Sequence, residues 1–149
     1  MLGKPNAGWA YLKIGNFTAN VSSMTNVPCD LIKAFVDFIN KGAGIASFDC
    51  EPYQFDLVLS YTMGTGVAGL VYIVDCEKKI FCENLKILDL AKEFIVDIKE
   101  NIDSWASAWF GYKGDYSKID PKYKREISTG INKLEKLIAQ YEKQGRVAR

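Results

Sequence analysis

The sequence predicts an α+β domain: a largely antiparallel β-sheet of about five to six strands, one helix inserted after the first strands, and two C-terminal helices packed on one face. Three observations carry this. Residues 45–63 alternate apolar and polar side chains with a period of two, the pattern of a sheet with one wet face. Residues 26–42 and 85–109 instead space their apolar side chains by three and four, the helical repeat. Glycines 15, 42, 64 and 66 fall between these blocks, where the chain must turn.

Each element follows in order. WAYLKI (9–14) and FTANVSS (17–23) read as two short strands joined through Gly15-Asn16, an acceptable two-residue hairpin turn. In NVPCDLIKAFVDFINKG, Asn26 stands at the cap position, Pro28 in the first turn, and Asp30 where a helix N-terminus favours negative charge. Leu31, Ile32, Phe35, Phe38 and Ile39 share one face, and Gly42 closes the helix. IASFDCE (45–51) sets Ala46, Phe48 and Cys50 against Ser47, Asp49 and Glu51. YQFDLVLSYTM (53–63) sets Tyr53, Phe55, Leu57, Leu59 and Tyr61 against Gln54, Asp56, Ser60 and Thr62. A further strand returns over 67–75, and IFCEN adds a short last one. From about Leu85, Ile87, Ala91, Phe94, Ile95, Ile98, Ile102, Trp105 and Trp109 mark one continuous helical stripe. Asp120 then caps the final helix, with Pro121 at its first position and Ile127, Ile131, Leu134, Ile138 and Tyr141 along its apolar face. No linker or repeat divides residues 1–149, which read as one domain with a frayed tail over 146–149.

The segment MGTGVAGLVYIVD contains Gly64-x-Gly66-x-x-Gly69, the spacing of a dinucleotide-binding loop. That loop must deliver its phosphate to a helix N-terminus. Here β-branched and aromatic residues follow, so strand, turn, strand is the better reading. The surrounding uncharged run, Leu57 to Val74, touches the lower length limit of a membrane span, but its central glycines suit a hairpin. The N-terminus has no apolar stretch of the length a secretory signal needs, so the expected location is cytoplasmic.

The net charge of +1 recruits neither nucleic acid nor membrane through a global field. It is nevertheless divided: residues 1–111 carry 9 basic and 13 acidic side chains, residues 112–149 carry 10 and 5. The basic end has its lysines at helix spacing without interleaved aromatics, so nucleic acid is not expected as a partner. The chain has no histidine, which removes the commonest general base and metal ligand together. Cys29, Cys50, Cys76 and Cys82 form no Cys-x-x-Cys pair, so neither a zinc site nor a disulfide framework is expected. No cofactor is expected either.

A binding module remains. Its expected surfaces are an acidic strand face, Asp49, Glu51, Asp56, Asp75 and Glu77, and an aromatic end where Phe110, Tyr112 and Tyr116 lie in or near a loop. Two alternatives stay open. One is a histidine-free, metal-dependent hydrolase using Asp49, Glu51 and Asp56; the other is a structural or regulatory homo-oligomer.

The pattern also resembles small bacterial immunity proteins of polymorphic-toxin and contact-dependent growth inhibition systems. The residues that carry the resemblance are Val27-Pro28-Cys29-Asp30-Leu31, Phe48-Asp49-Cys50-Glu51 and Asp103-Ser104-Trp105, and it covers roughly residues 9–112. It implies a non-enzymatic cytoplasmic inhibitor that binds a cognate toxin domain, often a nuclease, and blocks its active site or substrate groove. The basic C-terminal helix departs from a uniformly acidic mimic of nucleic acid.

Overall fold

The computed structural model describes residues 1–23, 25–61, 70–75, 80–111 and 117–144; for 70–75, 80, 81, 83 and 108–111 it describes the backbone alone. The fold is α+β and its strand pairing is antiparallel throughout the described residues. The element order is β1 (Trp9–Ile14), β2 (Phe17–Ser22), α1 (Val27–Lys41), β3 (Ala43–Asp49), β4 (Gln54–Ser60), β5 (Leu70–Asp75), β6 (Ile80–Asn84), α2 (Ile87–Glu100), α3 (Ile102–Gly111) and α4 (Pro121–Lys143).

The six strands do not form the single sheet expected from the sequence. β1 and β2 pair as one hairpin, and β3-β4-β5-β6 form a second sheet in chain order. The reason lies in what each edge of the hairpin meets. Residues 1–3 line the free edge of β1, with Lys13 N–H donating to the Met1 carbonyl at 2.9 Å and Gly3 N–H to the Tyr11 carbonyl at 2.7 Å. β2 reaches the larger sheet through side chains: the Phe17 ring stands edge-on to Phe55, with centroids 5.1 Å apart. The hairpin turn itself is as expected, since Ile14 pairs with Phe17 across Gly15-Asn16.

The helix α1 is the centre of the molecule. Pro28 sits in its first turn, and Gly42 ends it in the left-handed region at φ 83°, its N–H bonded to the Phe38 carbonyl. Asn26 precedes it but does not cap it with its side chain. Instead Asn26 Oδ1 accepts a 2.5 Å hydrogen bond from the Tyr123 hydroxyl, 97 residues away on α4. Different sides of α1 serve different neighbours. Ala34 lies against β3, where a Cβ built on Gly44 would overlap the Ala34 carbonyl oxygen. Ile32 meets α4 at Gly130, Phe35 meets Phe94 of α2, and Phe38 stacks on Tyr61 with centroids 4.7 Å apart.

The helices therefore form layers rather than covering one sheet face together. α1 lies on the sheet, and α4 lies chiefly on α1 and α3. Three helices follow the last strand instead of the expected two, because the long apolar stripe is interrupted at Asn101. Asn101 ends α2 with φ −118°, its N–H on the Ile98 carbonyl and its side-chain amide donating to the Asp97 carbonyl. Its own carbonyl accepts from Trp105 N–H and starts α3. One residue thus supplies both helix ends, and the apolar stripe turns with the chain: Ile98 and Trp105 are both buried. Asp120 caps α4 as expected, accepting from Lys122 and Tyr123 N–H at 2.9 and 3.2 Å.

The strand boundaries also shift. β3 starts at Ala43 and ends at Asp49, so Glu51 lies in the connection to β4, beside Pro52, which has no N–H to extend a ladder. Tyr53, expected on the apolar side, precedes β4 and is exposed. Residues 80–84 do form a strand. The expected bend at Gly64-Thr65-Gly66 and the expected frayed tail over 146–149 lie outside the described residues.

Replacing Gly44 with alanine should destabilise the domain by about 3 kcal/mol or more, since the new methyl meets a helix carbonyl and neither backbone can yield alone. Urea unfolding compared with wild type reads the loss. On α1, the Lys33 and Lys41 ammonium groups hold Asp37 down to about 2 from an ordinary 3.8. The folded value lies below the unfolded one, so this contribution is present above pH 4 and is lost as pH falls toward 2. Asp37→Asn should flatten that part of the acid-unfolding profile and leave the remainder unchanged.

Candidate functional site

The strand pleat sorts the residues of the larger sheet by face. On β3 and β4, Ala46, Phe48, Phe55, Leu57 and Leu59 are buried toward α1. Ile45, Ser47 and Asp49 on β3, and Asp56, Val58 and Ser60 on β4, take the opposite parity. The register then assembles rows across all four strands. Ile45 pairs with Val58, Val58 with Tyr72, and Tyr72 with Cys82. The neighbouring row runs Ser47, Asp56, Val74, Ile80. Ile45 is 58% exposed, and Cys82 at the far edge is also exposed. Among the described residues, α1 is the helix that packs on β3 and β4, and it lies on the buried face, so this outward face carries no helix.

Two of the expected acidic residues meet here. Asp56 stands opposite Ser47, whose hydroxyl donates to Asp56 Oδ1 at 2.6 Å. Asp49 lies diagonally from it on the same face, and Asp49 Oδ1 accepts the Glu51 N–H at 3.2 Å. Glu51 is exposed in the connection just beyond β3. The result is a carboxylate corner on an open face, not a converging pocket. Among the described residues no three cysteine, aspartate or glutamate side chains come together to hold a metal ion, so Asp49, Glu51 and Asp56 do not make the centre that a metal-dependent hydrolase would use.

The other expected positions separate from this corner. The register sets Asp75 opposite Phe55, whereas Asp56 pairs with Val74, so Asp75 does not belong to the Asp56 row. A one-residue step in a strand changes the face, and spacing alone could not fix that step. Phe110 belongs to the last turn of α3, at the helix end next to the expected loop. Glu77, Tyr112 and Tyr116 lie outside the described residues. The glycine segment is followed, from Leu70, by a strand antiparallel to β4 rather than by the helix a dinucleotide loop needs. No described helix is long and apolar enough to cross a membrane.

Sequence reasoning missed Ile45 and Val58. Their signal was present: both are apolar residues standing in the polar phase of an alternating strand. A large exposed aliphatic group beside carboxylates is the composition of a recognition surface more than of a solvated one.

A second cluster is chemically quiet. Cys29, in the first turn of α1, lies half-buried between α1 and α4 beside Tyr123. Burial, reinforced by the Glu126 carboxylate, pushes its thiol up to about 12 despite a hydrogen bond from Asn26. Burial also raises the Tyr123 phenol, so both groups stay neutral at physiological pH. A thiol so placed is a packing group, not a nucleophile.

In a thiol-labelling experiment at pH 8, Cys82→Ser should remove a fast-reacting group, while Cys29→Ser should leave the fast phase intact. Cys29 has a thiolate fraction roughly a thousandfold below that of a free cysteine and should react at the rate of unfolding. Compared with known proteins, the chain matches no family model, no curated protein and no solved structure.

Proposed function

We propose that the chain is an immunity protein: it binds a cognate bacterial toxin domain and blocks the toxin's active site or substrate groove, using the outward face of the β3–β6 sheet. The observation that carries this is the open sheet face on which exposed Ile45 adjoins the Asp49–Asp56 corner. Stable protein interfaces need an apolar centre and polar groups that set orientation, and this face has both within one strand pair. The carboxylates give the approach a direction, because a basic cleft is drawn toward them before contact.

The resemblance supports the same reading, though its motif residues divide by role. Val27 to Leu31 open α1, and Val27, Pro28 and Leu31 are buried. Asp103 on α3 forms an ion pair with Lys124 of α4, and Trp105 is 1% exposed. These groups build the scaffold. Of the three motifs, Phe48-Asp49-Cys50-Glu51 alone reaches the open face, through Asp49.

The test is neutralisation of the toxin domain encoded immediately upstream, with binding kinetics measured in parallel. Wild-type protein should form a stable complex and rescue growth. Changing Asp49, Glu51 and Asp56 together to lysine should leave the fold intact and lower the association rate about tenfold or more at low salt, with the difference shrinking as salt rises. Ile45→Arg should act mainly on dissociation. An unchanged association rate in the triple variant moves the interface elsewhere. Absence of binding to the upstream product removes the immunity reading itself.

A further inference from the structure

We infer that the outward face of α4 is a binding stripe for the phosphate backbone of duplex nucleic acid. This stands apart from the toxin reading and uses a different side of the molecule. With about 100° per residue, Lys122, Arg125, Lys133, Lys136 and Lys143 fall within an arc of about 80°, and they span about 32 Å of helix. All five are exposed, and none has an ion-pair or hydrogen-bond partner among the described residues. The acids of the same helix are largely drawn off. Glu135 bonds Lys99 and Glu142 bonds Lys92, both at 2.6 Å and both toward α2, while Glu126 stays at the edge of the arc. Lys124, which lies outside the arc, is the cation that pairs with Asp103.

The fold thus segregates charge that the sequence shows only as a mixed helix. Along the chain, the α4 lysines stand at helix spacing, with glutamates among them and without interleaved aromatics, the pattern from which no nucleic-acid partner is expected. Packing against α2 consumes two of the acids and leaves the cations in a line.

The composition of the stripe selects the partner. Within the arc the residues between the cations are Thr129 and Gln140, both uncharged and polar, while Asn132 and Glu126 flank it, each about 20° outside. No apolar side chain lies in the arc, so it lacks the anchor that a protein interface needs. The apolar face of α4, Tyr123, Ile127, Ile131, Leu134 and Ile138, is buried inside the domain, so the helix has no apolar side left to enter a bilayer. A straight row of cations with polar spacers matches a regularly charged rod, which duplex nucleic acid supplies at one charge per about 1.7 Å of axis. Such contacts position without reading bases, so binding is sequence-independent and strongly salt-dependent.

The experiment is fluorescence anisotropy of the full chain with a labelled 20-base-pair DNA duplex of arbitrary sequence, titrated at several salt concentrations. With three to five phosphate contacts, the slope of log K against log salt should be about −3 to −4.5. Lys133→Gln combined with Lys136→Gln should reduce the slope by about 2 and weaken low-salt binding at least tenfold. Lys33→Gln combined with Lys41→Gln on α1 should change neither. The inference is overturned by absence of binding at low salt, or by equal binding in both double variants. It is also overturned if polyglutamate of equal charge displaces the duplex as well as unlabelled duplex does, which would assign the stripe to an acidic protein. Tighter binding to anionic vesicles than to duplex would overturn it too, in favour of a membrane surface.

Discussion

The contact between Gly44 and Ala34 is the constraint on which the rest of this fold depends. Packed layers of secondary structure are normally held apart by the side chains between them, about 10 Å for two stacked sheets. At Gly44 the backbone of β3 comes directly against the backbone of α1, with no side chain interposed. That approach brings α1 low over β3 and β4: Phe38 packs on Tyr61, and Phe48 and Phe55, in ring contact with each other, are buried in the same core. A larger separation would open a void that these side chains could not fill.

With α1 set in this way, its remaining sides become docking surfaces for everything that follows in the chain. Ile32 receives α4 and Phe35 receives α2. Polar ties fix the angle of α4 at both ends: the Tyr123 hydroxyl on Asn26 near its start, and the Tyr141 hydroxyl 3.0 Å from that of Tyr61 near its finish. Apolar packing alone is tolerant of sliding, whereas a short hydrogen bond between part-buried groups is not. The same arrangement leaves the outward face of β3 and β4 without a helix among the described residues and turns the basic side of α4 away from α1. The two charged surfaces therefore follow from the layer order rather than from any separate device.

Much of this was legible because local chemistry agreed with the fold. Gly15-Asn16 fixes the first hairpin, Pro28 and Gly42 bound α1, and Asp120-Pro121 opens α4, each through a requirement met within a few residues. The alternation in β3 and β4 sorted inner from outer residues correctly, which is why Asp49 and Asp56 were found together. What failed depended on neighbours distant in sequence. Periodicity reports faces and not partners, so it could not divide six strands into two sheets. It ran through Asn101 because the apolar stripe continues on both sides of the break. Asn26 looked like a cap until Tyr123, far along the chain, took its oxygen. The row containing Ile45, Val58, Tyr72 and Cys82 exists only once the register is known, so no single strand could announce it.

Each strand of the larger sheet pairs with the one before it in the chain, and this has a kinetic consequence. Hairpins close short loops at small entropic cost, so the sheet can zip in sequence order without waiting for distant segments. α1 and β3 are likewise adjacent, which makes the region from Val27 to Ser60 a natural nucleus. The late step is the arrival of α4, which must find Ile32 and Asn26 across about a hundred residues of chain. During synthesis, α1 would therefore emerge with its second flank bare, and the domain could become cooperative only when that last helix had left the ribosome.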